Sequence, residues 1–422
     1  MACWAGPWRM RRAMTSPNPL LALSPRKRGR AIILRYAASV FVLSLLGACA
    51  APIPSVDAGT LCAASSFTVV DGFGGARRGR CEVISAYHVR LTILPEDDGQ
   101  INPSPWYSFK LIPFAKTTAV ITLQYSGGHH RYVPKISVDG LSWSPIDERN
   151  VQVSENGTLA RIELPLDSSA VWVSAQELVT PAIYRSWNAK TAKQSDAELL
   201  LLGHSMAGQP IDYLVSNPAS KEVLFLIGRQ HPPEVSGAFA FFAFTETLLA
   251  DTELAKRFRA RFQIVAIPLL NPDGVLRGNW RHNLGSTDLN RDWGIFRQPE
   301  TRLVGELLNR LDGEGDKIRV FLDFHSTDRN LFYTQDETVP TDPPNFFESW
   351  FAKATPRLKD YPFSNEAGPG EKQGAAKNYM YRRYGIPSAT YEVGDETDRI
   401  VARAAATVFA EELMKLMLMP DG

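Results

Sequence analysis

Gly228-Arg229-Gln230-His231-Pro232-Pro233-Glu234 follows the apolar run Val-Leu-Phe-Leu-Ile at 223–227. Such a short, uninterrupted apolar run reads as a buried strand. The two prolines fix φ at their positions and stiffen the loop that presents His231 and Glu234. A lone H-x-x-E arises often by chance. Here it is joined by His325, after a second apolar run at 320–324, and by Glu392 in Ala389-Thr390-Tyr391-Glu392-Val393-Gly394. Two imidazoles and a carboxylate form a complete protein ligand set for a catalytic zinc that keeps its fourth position open for water. A further carboxylate nearby is the base that such a water needs. The pattern points to a hydrolase. Asp323, two residues before His325, faces the same way in a strand; it is either a support for that ligand or a satisfied core acid.

Outward from this stretch, strands alternate with helical patterns from Thr180-Pro181 onward. The runs 199–202, 223–227, 262–269, 320–324 and 388–393 read as strands, the first two as buried ones. Helical patterns cover 235–249, 299–311, 345–358 and 399–417. Pro299 at one end and Gly313 past the other give the second segment the expected asymmetry of a helix. This is an α/β region with a parallel or mixed sheet. In such sheets ligands bind beyond the carboxyl ends of the strands, where the four residues fall.

Residues 66–178 read differently. Ala119, Ile121, Leu123 and Tyr125 alternate with Val120, Thr122 and Gln124, the period of a half-buried strand. Glu155-Asn156-Gly157 between 151–153 and 159–164 is a hairpin signal. Short strands at this spacing, with no helical pattern, predict an antiparallel β-sandwich. The expected order is therefore a signal segment (1–48), a tether (49–65), a sandwich (66–178) and an α/β catalytic region (179–422).

The chain has 422 residues and a formal net charge of +1, which gives no electrostatic reason to expect a nucleic-acid partner. Arg26, Lys27, Arg28, Arg30 and Arg35 precede a short apolar stretch at 37–46 that ends in Leu46-Gly47-Ala48-Cys49. This resembles a bacterial lipobox, with Cys49 as the lipidated residue and Ala50 after it, as in lipoproteins sorted to the outer membrane. Cleavage of an ordinary secretory signal near Cys49 is the alternative. Either reading makes the protein exported, to the periplasmic side of the envelope. Cys62 and Cys81 then remain as a disulfide or as two buried thiols.

Further along come Asn271-Pro272-Asp273-Gly274, Gly278-Asn279-Trp280-Arg281 and Asp288-Leu289-Asn290-Arg291-Asp292-Trp293. Singly, these read as turns and surface ion pairs. In order, H-P-P-E, N-P-D-G, N-W-R, D-L-N-R-D-W, a strand ending in His and Y-E-V resemble the zinc carboxypeptidases of the M14 family. The resemblance covers about 195–415. It is nearest to the cytosolic carboxypeptidase branch, whose N-terminal sandwich carries an N-P-x-W-Y/F-x-F stretch similar to Asn102-Pro103-Ser104-Pro105-Trp106-Tyr107-Ser108-Phe109.

The resemblance implies one Zn²⁺ on His231, Glu234 and His325, with Glu392 as general base. It implies Arg281 as the group that polarises the scissile carbonyl, and Asn290 and Arg291 as the clamp on the terminal carboxylate. Arginine suits both tasks, being planar, bidentate and always charged. An endopeptidase has no need of such a clamp. Lys377, in Gly374-Ala375-Ala376-Lys377, stands where the family lines the pocket for the last side chain, which implies an acidic preference; a solvated helix lysine is the alternative. Tyr379, Tyr381 and Tyr384 are open candidates for the tyrosine that assists in many members. His282, next to Arg281, is a candidate for the cleft wall.

The implied activity is hydrolysis of the C-terminal amide bond of a peptide with a free terminal carboxylate. A zinc-dependent deacylase of N-acyl amino acids and a non-catalytic zinc-bearing peptide-binding lipoprotein are the rivals. Asn290-Arg291 and the sandwich weigh against the first, and Glu392 against the second. Membrane contact is expected through the lipid on Cys49 alone. The pattern does not bear on oligomeric state.

Overall fold

The computed structural model describes residues 61–99, 102–336, 339–368 and 374–419. The expected signal segment, Cys49 and the tether up to residue 60 lie outside the described residues.

Strands come first: β1 (Cys62–Ala63), β2 (Phe67–Val70), β3 (Arg80–Ser85), β4 (His88–Ile93), β5 (Ser108–Pro113), β6 (Thr117–Tyr125), β7 (Lys135–Ser137), β8 (Ser144–Pro145), β9 (Val151–Val153), β10 (Leu159–Leu166) and β11 (Val171–Ser174). They form two sheets, in the orders β1-β2-β5-β11-β7-β8 and β3-β4-β6-β10-β9. On β6, Ala119, Ile121, Leu123 and Tyr125 are buried while Gln124 is exposed, as the alternation predicts. β9 and β10 pair antiparallel around Asn156-Gly157, and Gly157 takes the positive φ of 67° that such a turn demands. One pair departs from the expected antiparallel pattern: β4 and β6 run parallel. A period of two reports which face is buried and not which way the neighbour runs. Cys62 and Cys81 are disulfide-bonded, tying β1 of one sheet to β3 of the other. β1 pairs with β2 at Cys62↔Val69, so the chain is already in a sheet within the stretch expected as tether.

The second half contains α1 (Pro181–Gln194), β12 (Glu198–His204), β13 (Pro210–Ser216), β14 (Glu222–Gly228), α2 (Val235–Leu248), α3 (Glu253–Arg261), β15 (Phe262–Ile267), α4 (Pro272–Arg277), α5 (Pro299–Gly313), β16 (Lys317–Thr327), β17 (Leu331–Gln335), α6 (Phe346–Ala354), β18 (Ser364–Gly368), α7 (Ala376–Tyr384), β19 (Ser388–Gly394) and α8 (Arg399–Met417). The sheet order is β12-β13-β15-β14-β16-β19-β17-β18. Its centre, β15-β14-β16-β19, is parallel throughout. Parallel strands need helical crossovers, which cover both faces and bury both sets of side chains. Hence β14 reads as an unbroken apolar run.

The run 199–202 does not share that burial. β12 is an edge strand, and Leu199, Leu200 and Leu201 are exposed. An apolar run reports strand propensity, while burial depends on a neighbour the run does not encode.

On one face of the sheet, Phe241 and Phe244 of α2 pack edge-on against Phe324, and Phe409 of α8 packs against Tyr391. On the other, Phe321 meets Phe225 and Trp293, with Val304, Leu308 and Met380 alongside. The first layer is continuous with the sandwich interior: Phe109, Leu123 and Ile162 belong to the same buried cluster as Phe241, Phe324 and Phe409.

Candidate active site

The loop after β14 is held from beneath by a buried guanidinium. Arg229 has φ 54° and is buried; its Nε and Nη2 donate to the carbonyl of Pro232 at 2.9 and 2.6 Å, and its Nη1 donates to Tyr184 Oη at 3.1 Å. Asn271 accepts from Gly274 N at 2.9 Å, capping α4, and donates to the carbonyl of Gln230 at 3.0 Å. The N-P-D-G segment is thus a helix start that also props the loop. Gly237, in the first turn of α2, has no room for a side chain: a Cβ there would lie 2.3 Å from the carbonyl oxygen of His325. Its absence lets the helix that follows Glu234 lie directly on the strand that carries His325.

These elements bring His231, Glu234 and His325 together, all buried, with ligand atoms within 4.8 Å of one another. Glu234 places Oε1 2.7 Å from His231 Nδ1 and Oε2 2.7 Å from His325 Nδ1, and the two Nδ1 atoms are 3.1 Å apart. Two imidazole nitrogens bound at ~2.0–2.1 Å to one tetrahedral zinc stand ~3.3 Å apart, so the spacing fits. The far side of each ring faces a carboxylate. His231 Nε2 lies 2.9 Å from Asp288 Oδ1, and His325 Nε2 lies 2.8 Å from Asp323 Oδ2. A carboxylate there keeps the proton on Nε2 and turns the Nδ1 lone pair inward, the arrangement seen behind metal-bound histidines. Asp323 is therefore the supporting acid of the two options open from sequence; Gln230 Nε2 also donates to it at 2.7 Å.

The electrostatics call for a dication. Burial opposes the charge on Glu234, yet the two imidazoles override it and hold its carboxyl far below the usual range. Burial also opposes a charged His325, and Asp323 and Glu234 override it in turn. A metal ion between the rings supplies the positive charge that this acid-rich cluster otherwise draws from protons. Glu392 stands in register with His325 on the adjacent strand. Burial pushes its carboxyl up to about 7, with His325 opposing and Glu234 adding. Its Oε2 is buried without a hydrogen-bond partner among the described residues.

Asp288 joins two parts of the site. Its Oδ1 accepts from Asn290 N at 2.8 Å beside His231, while its Oδ2 accepts from Arg281 Nε at 2.7 Å. Burial works against its charge, but His231, then Arg281 and Arg291, hold it well below the usual carboxylate range. Nothing local in the D-L-N-R-D-W motif marks Asp288 for this role, since its partner His231 is 57 residues away.

Asn290 and Arg291 sit in a short 3₁₀ turn. Asn290 Oδ1 accepts from Ala376 N at 2.8 Å, tying this turn to the start of α7. Arg291 Nη1 donates to the carbonyl of Asn290 at 2.6 Å. Lys377, in the first turn of α7, is buried and donates from Nζ to the carbonyl of Thr334 on β17 at 2.9 Å. It is not the solvated helix lysine of the alternative reading. Of the tyrosines, Tyr379 packs on Trp293 and Phe296, and Tyr384 Oη donates to Asp312 at 3.3 Å. Tyr333, not singled out in the sequence, stands on the face of β17 that neighbours Glu392. Burial and then the charge of Glu392 raise its phenol. Only the alternation in Leu331-Phe332-Tyr333 hinted at its direction. His282 is buried, with Nδ1 2.8 Å from Asp97 Oδ2.

A family model described as Peptidase_M14, zinc carboxypeptidase, matches residues 183–414. The chain belongs to the M14 zinc carboxypeptidase family, whose zinc the His-Glu-His cluster can hold. Among curated relatives, cytosolic carboxypeptidase 1 of Danio rerio is 32% identical over 162 residues, and cytosolic carboxypeptidase 2 of the same fish is 34% identical over 148. These stretches cover 37% and 32% of this chain but only 14% and 20% of those proteins. An uncharacterized protein of Zymomonas mobilis is 29% identical and aligns over 75% of this chain and 85% of its own length. Among solved structures, a metallo-carboxypeptidase from Burkholderia cenocepacia superposes with a TM-score of 0.69 at 18% identity, over 83% of this chain and 99% of that one. At that identity the likeness speaks for the fold, sandwich included.

Proposed function

We propose that this chain removes the C-terminal residue of peptides, with His231, Glu234 and His325 holding the zinc. The observation that carries the reading is the convergence of three buried ligand atoms, backed by Asp288 and Asp323, next to the unpartnered Oε2 of Glu392. Bound there, zinc supplies Lewis-acid activation of water and of the scissile carbonyl. Glu392 takes a proton from the attacking water and returns it to the leaving amine; burial, which raises its carboxyl, favours the first transfer. Arg281 is fixed at Nε by Asp288, and neither of its Nη groups has a hydrogen-bond partner among the described residues. Those donors meet the oxygen on which negative charge develops. Asn290 and Arg291 grip the terminal carboxylate. Asn290 Nδ2 and Arg291 Nη2 are likewise without partners among the described residues.

An acidic preference follows from Lys377, a buried ammonium on the helix that Asn290 tethers. Export and anchoring through Cys49 complete the reading, and the Cys62–Cys81 bond supports an oxidising compartment.

Glu392→Gln keeps the shape and removes the base. The expected result is zinc content equal to wild type with release of C-terminal residues reduced ~10³-fold or more. Absence of turnover by both mutant and wild type on every peptide overturns the enzyme reading in favour of a binding protein, and equal measurable turnover removes Glu392 as the base. Peptides differing only in the last residue, assayed with Lys377→Ala alongside, test the pocket. A terminal Glu or Asp preference that survives Lys377→Ala removes that assignment.

A further inference from the structure

We propose that the sandwich completes the active site through Glu96, a positioning residue for Arg281. Glu96 lies in the loop that leaves β4, far in sequence from the cleft. Its Oε2 accepts from Trp280 N at 2.7 Å, and its Oε1 accepts from Arg281 N at 2.9 Å and from His282 N at 2.6 Å. Consecutive backbone N–H groups turned toward one anion form a concave nest, and here a carboxylate of the same chain fills it. The segment is buried: Trp280 is 0% exposed, Arg281 7% and His282 5%. Its amides therefore have no ready water to replace the carboxylate.

Further contacts fix the same segment. Trp280 Nε1 donates to the carbonyl of Trp106 at 3.1 Å, and Trp106 Nε1 donates to the carbonyl of Gly75 at 2.8 Å. Gly278 takes φ 62°, and a Cβ there would lie 2.8 Å from the Trp106 ring. The Asn102–Phe109 motif thus provides the surface on which the Arg281 segment rests. His282 is held by Asp97. Arg281 is consequently fixed at both ends, its backbone by Glu96 and its Nε by Asp288. Ligand atoms of Glu96, Asp97 and His282 also fall within 4.8 Å of one another. Both oxygens of Glu96 already accept backbone N–H groups, however, so the cluster is a clasp and not a second metal site.

The inference rests on the role given to Arg281 above. A displaced Arg281 loses contact with charge that develops during reaction, so turnover falls while substrate binding is retained. The test uses the full, zinc-loaded chain with Glu96→Gln, which keeps the size of the side chain, and Glu96→Ala. Lys116→Ala, which breaks the exposed ion pair to Asp167 elsewhere on the sandwich surface, serves as control. Glu96→Ala is expected to lower kcat about 10- to 100-fold with KM within about threefold and zinc content unchanged. In an Arg281→Met background the same change is expected to cost less than about twofold, since residues acting through one another are not additive. Hydrogen exchange of the 280–282 amides is expected to speed up at least ~10-fold in both Glu96 variants and not in Lys116→Ala.

An unchanged kcat, an additive loss in the Arg281→Met background, or unchanged exchange at 280–282 each overturns the proposal. If the zinc-loaded wild type releases no C-terminal residue, the enzyme reading fails on its own, and the exchange measurement still decides whether Glu96 holds the segment.

Discussion

Asp288→Asn keeps the size of the side chain and removes a charge that serves two masters. In the wild type one oxygen faces His231 Nε2 at 2.9 Å and Asn290 N at 2.8 Å, and the other accepts from Arg281 Nε at 2.7 Å. An amide has a single acceptor oxygen. Left on the side of His231 and Asn290, it turns an N–H₂ toward Arg281 Nε, donor against donor. Loss of a charge-assisted bond to a buried guanidinium costs about 1.5–3 kcal/mol. At about 1.4 kcal/mol per tenfold, kcat is expected to fall ~10- to 100-fold at saturating zinc. His231 loses the negative charge behind it, which makes it a poorer ligand, so zinc affinity is expected to fall ~10- to 100-fold. Chelator competition measures the second effect, and initial rates of residue release at saturating zinc measure the first. Asp323→Asn separates the two. Asp323 touches His325 and Gln230 and not Arg281, so zinc affinity should fall by a similar factor while kcat at saturating zinc stays within about threefold. Asp288→Asn with both quantities within about twofold of wild type would refute the linkage of ligand and arginine through one carboxylate.

Gly237→Ala is expected to destabilise the protein by about 1–3 kcal/mol and weaken zinc binding, because the added carbon meets the backbone of His325, which has nowhere to go; denaturant unfolding and zinc titration read both. Cys81→Ser opens the Cys62–Cys81 loop of sequence separation 19 and is expected to cost about 3 kcal/mol in unfolding free energy, an effect that reductant should reproduce in the wild type. Arg399 pairs with Glu177 at 2.9 Å. Burial raises the Glu177 carboxyl, but the bonds and charge of Arg399 outweigh it and leave it lowered. A depressed folded value means that the pair's stability is present above the ordinary glutamate value of about 4.3 and is lost as pH falls through the lower folded one. Glu177→Gln should therefore flatten the acid limb of a stability-against-pH curve, and an unaltered limb would exclude the pair as its source.

What was legible in the sequence is what depends on neighbours in the chain. His231 and Glu234 share one loop, and His325 and Glu392 lie at or near the ends of apolar runs, so strand propensity alone places them toward the carboxyl ends of strands. The α8 boundaries, Arg399–Met417, match the helical pattern because Asp398 caps the first turn. The rest depends on partners that no local pattern names. Glu96 meets amides 184 to 186 residues away. Asp288 has no role to read until His231 and Arg281 are folded against it. Leu199, Leu200 and Leu201 carry the signature of an interior strand and occupy a rim. The direction of β4 against β6 is set by a crossing of the chain between two sheets. Lys377 had two readings, and the carbonyl of Thr334, which no local pattern names, removes the solvated one.

The apolar cluster that runs without a break from Phe109 and Ile162 to Phe241 and Phe409 has a practical consequence for anyone cutting this gene. Trimming at the junction near residue 179 would strip water-excluding partners from the remaining half, leaving a sticky wall where the sandwich had been. A fragment beginning there should enter inclusion bodies, and swapping the peptidase half between homologues should succeed only when its own sandwich travels with it.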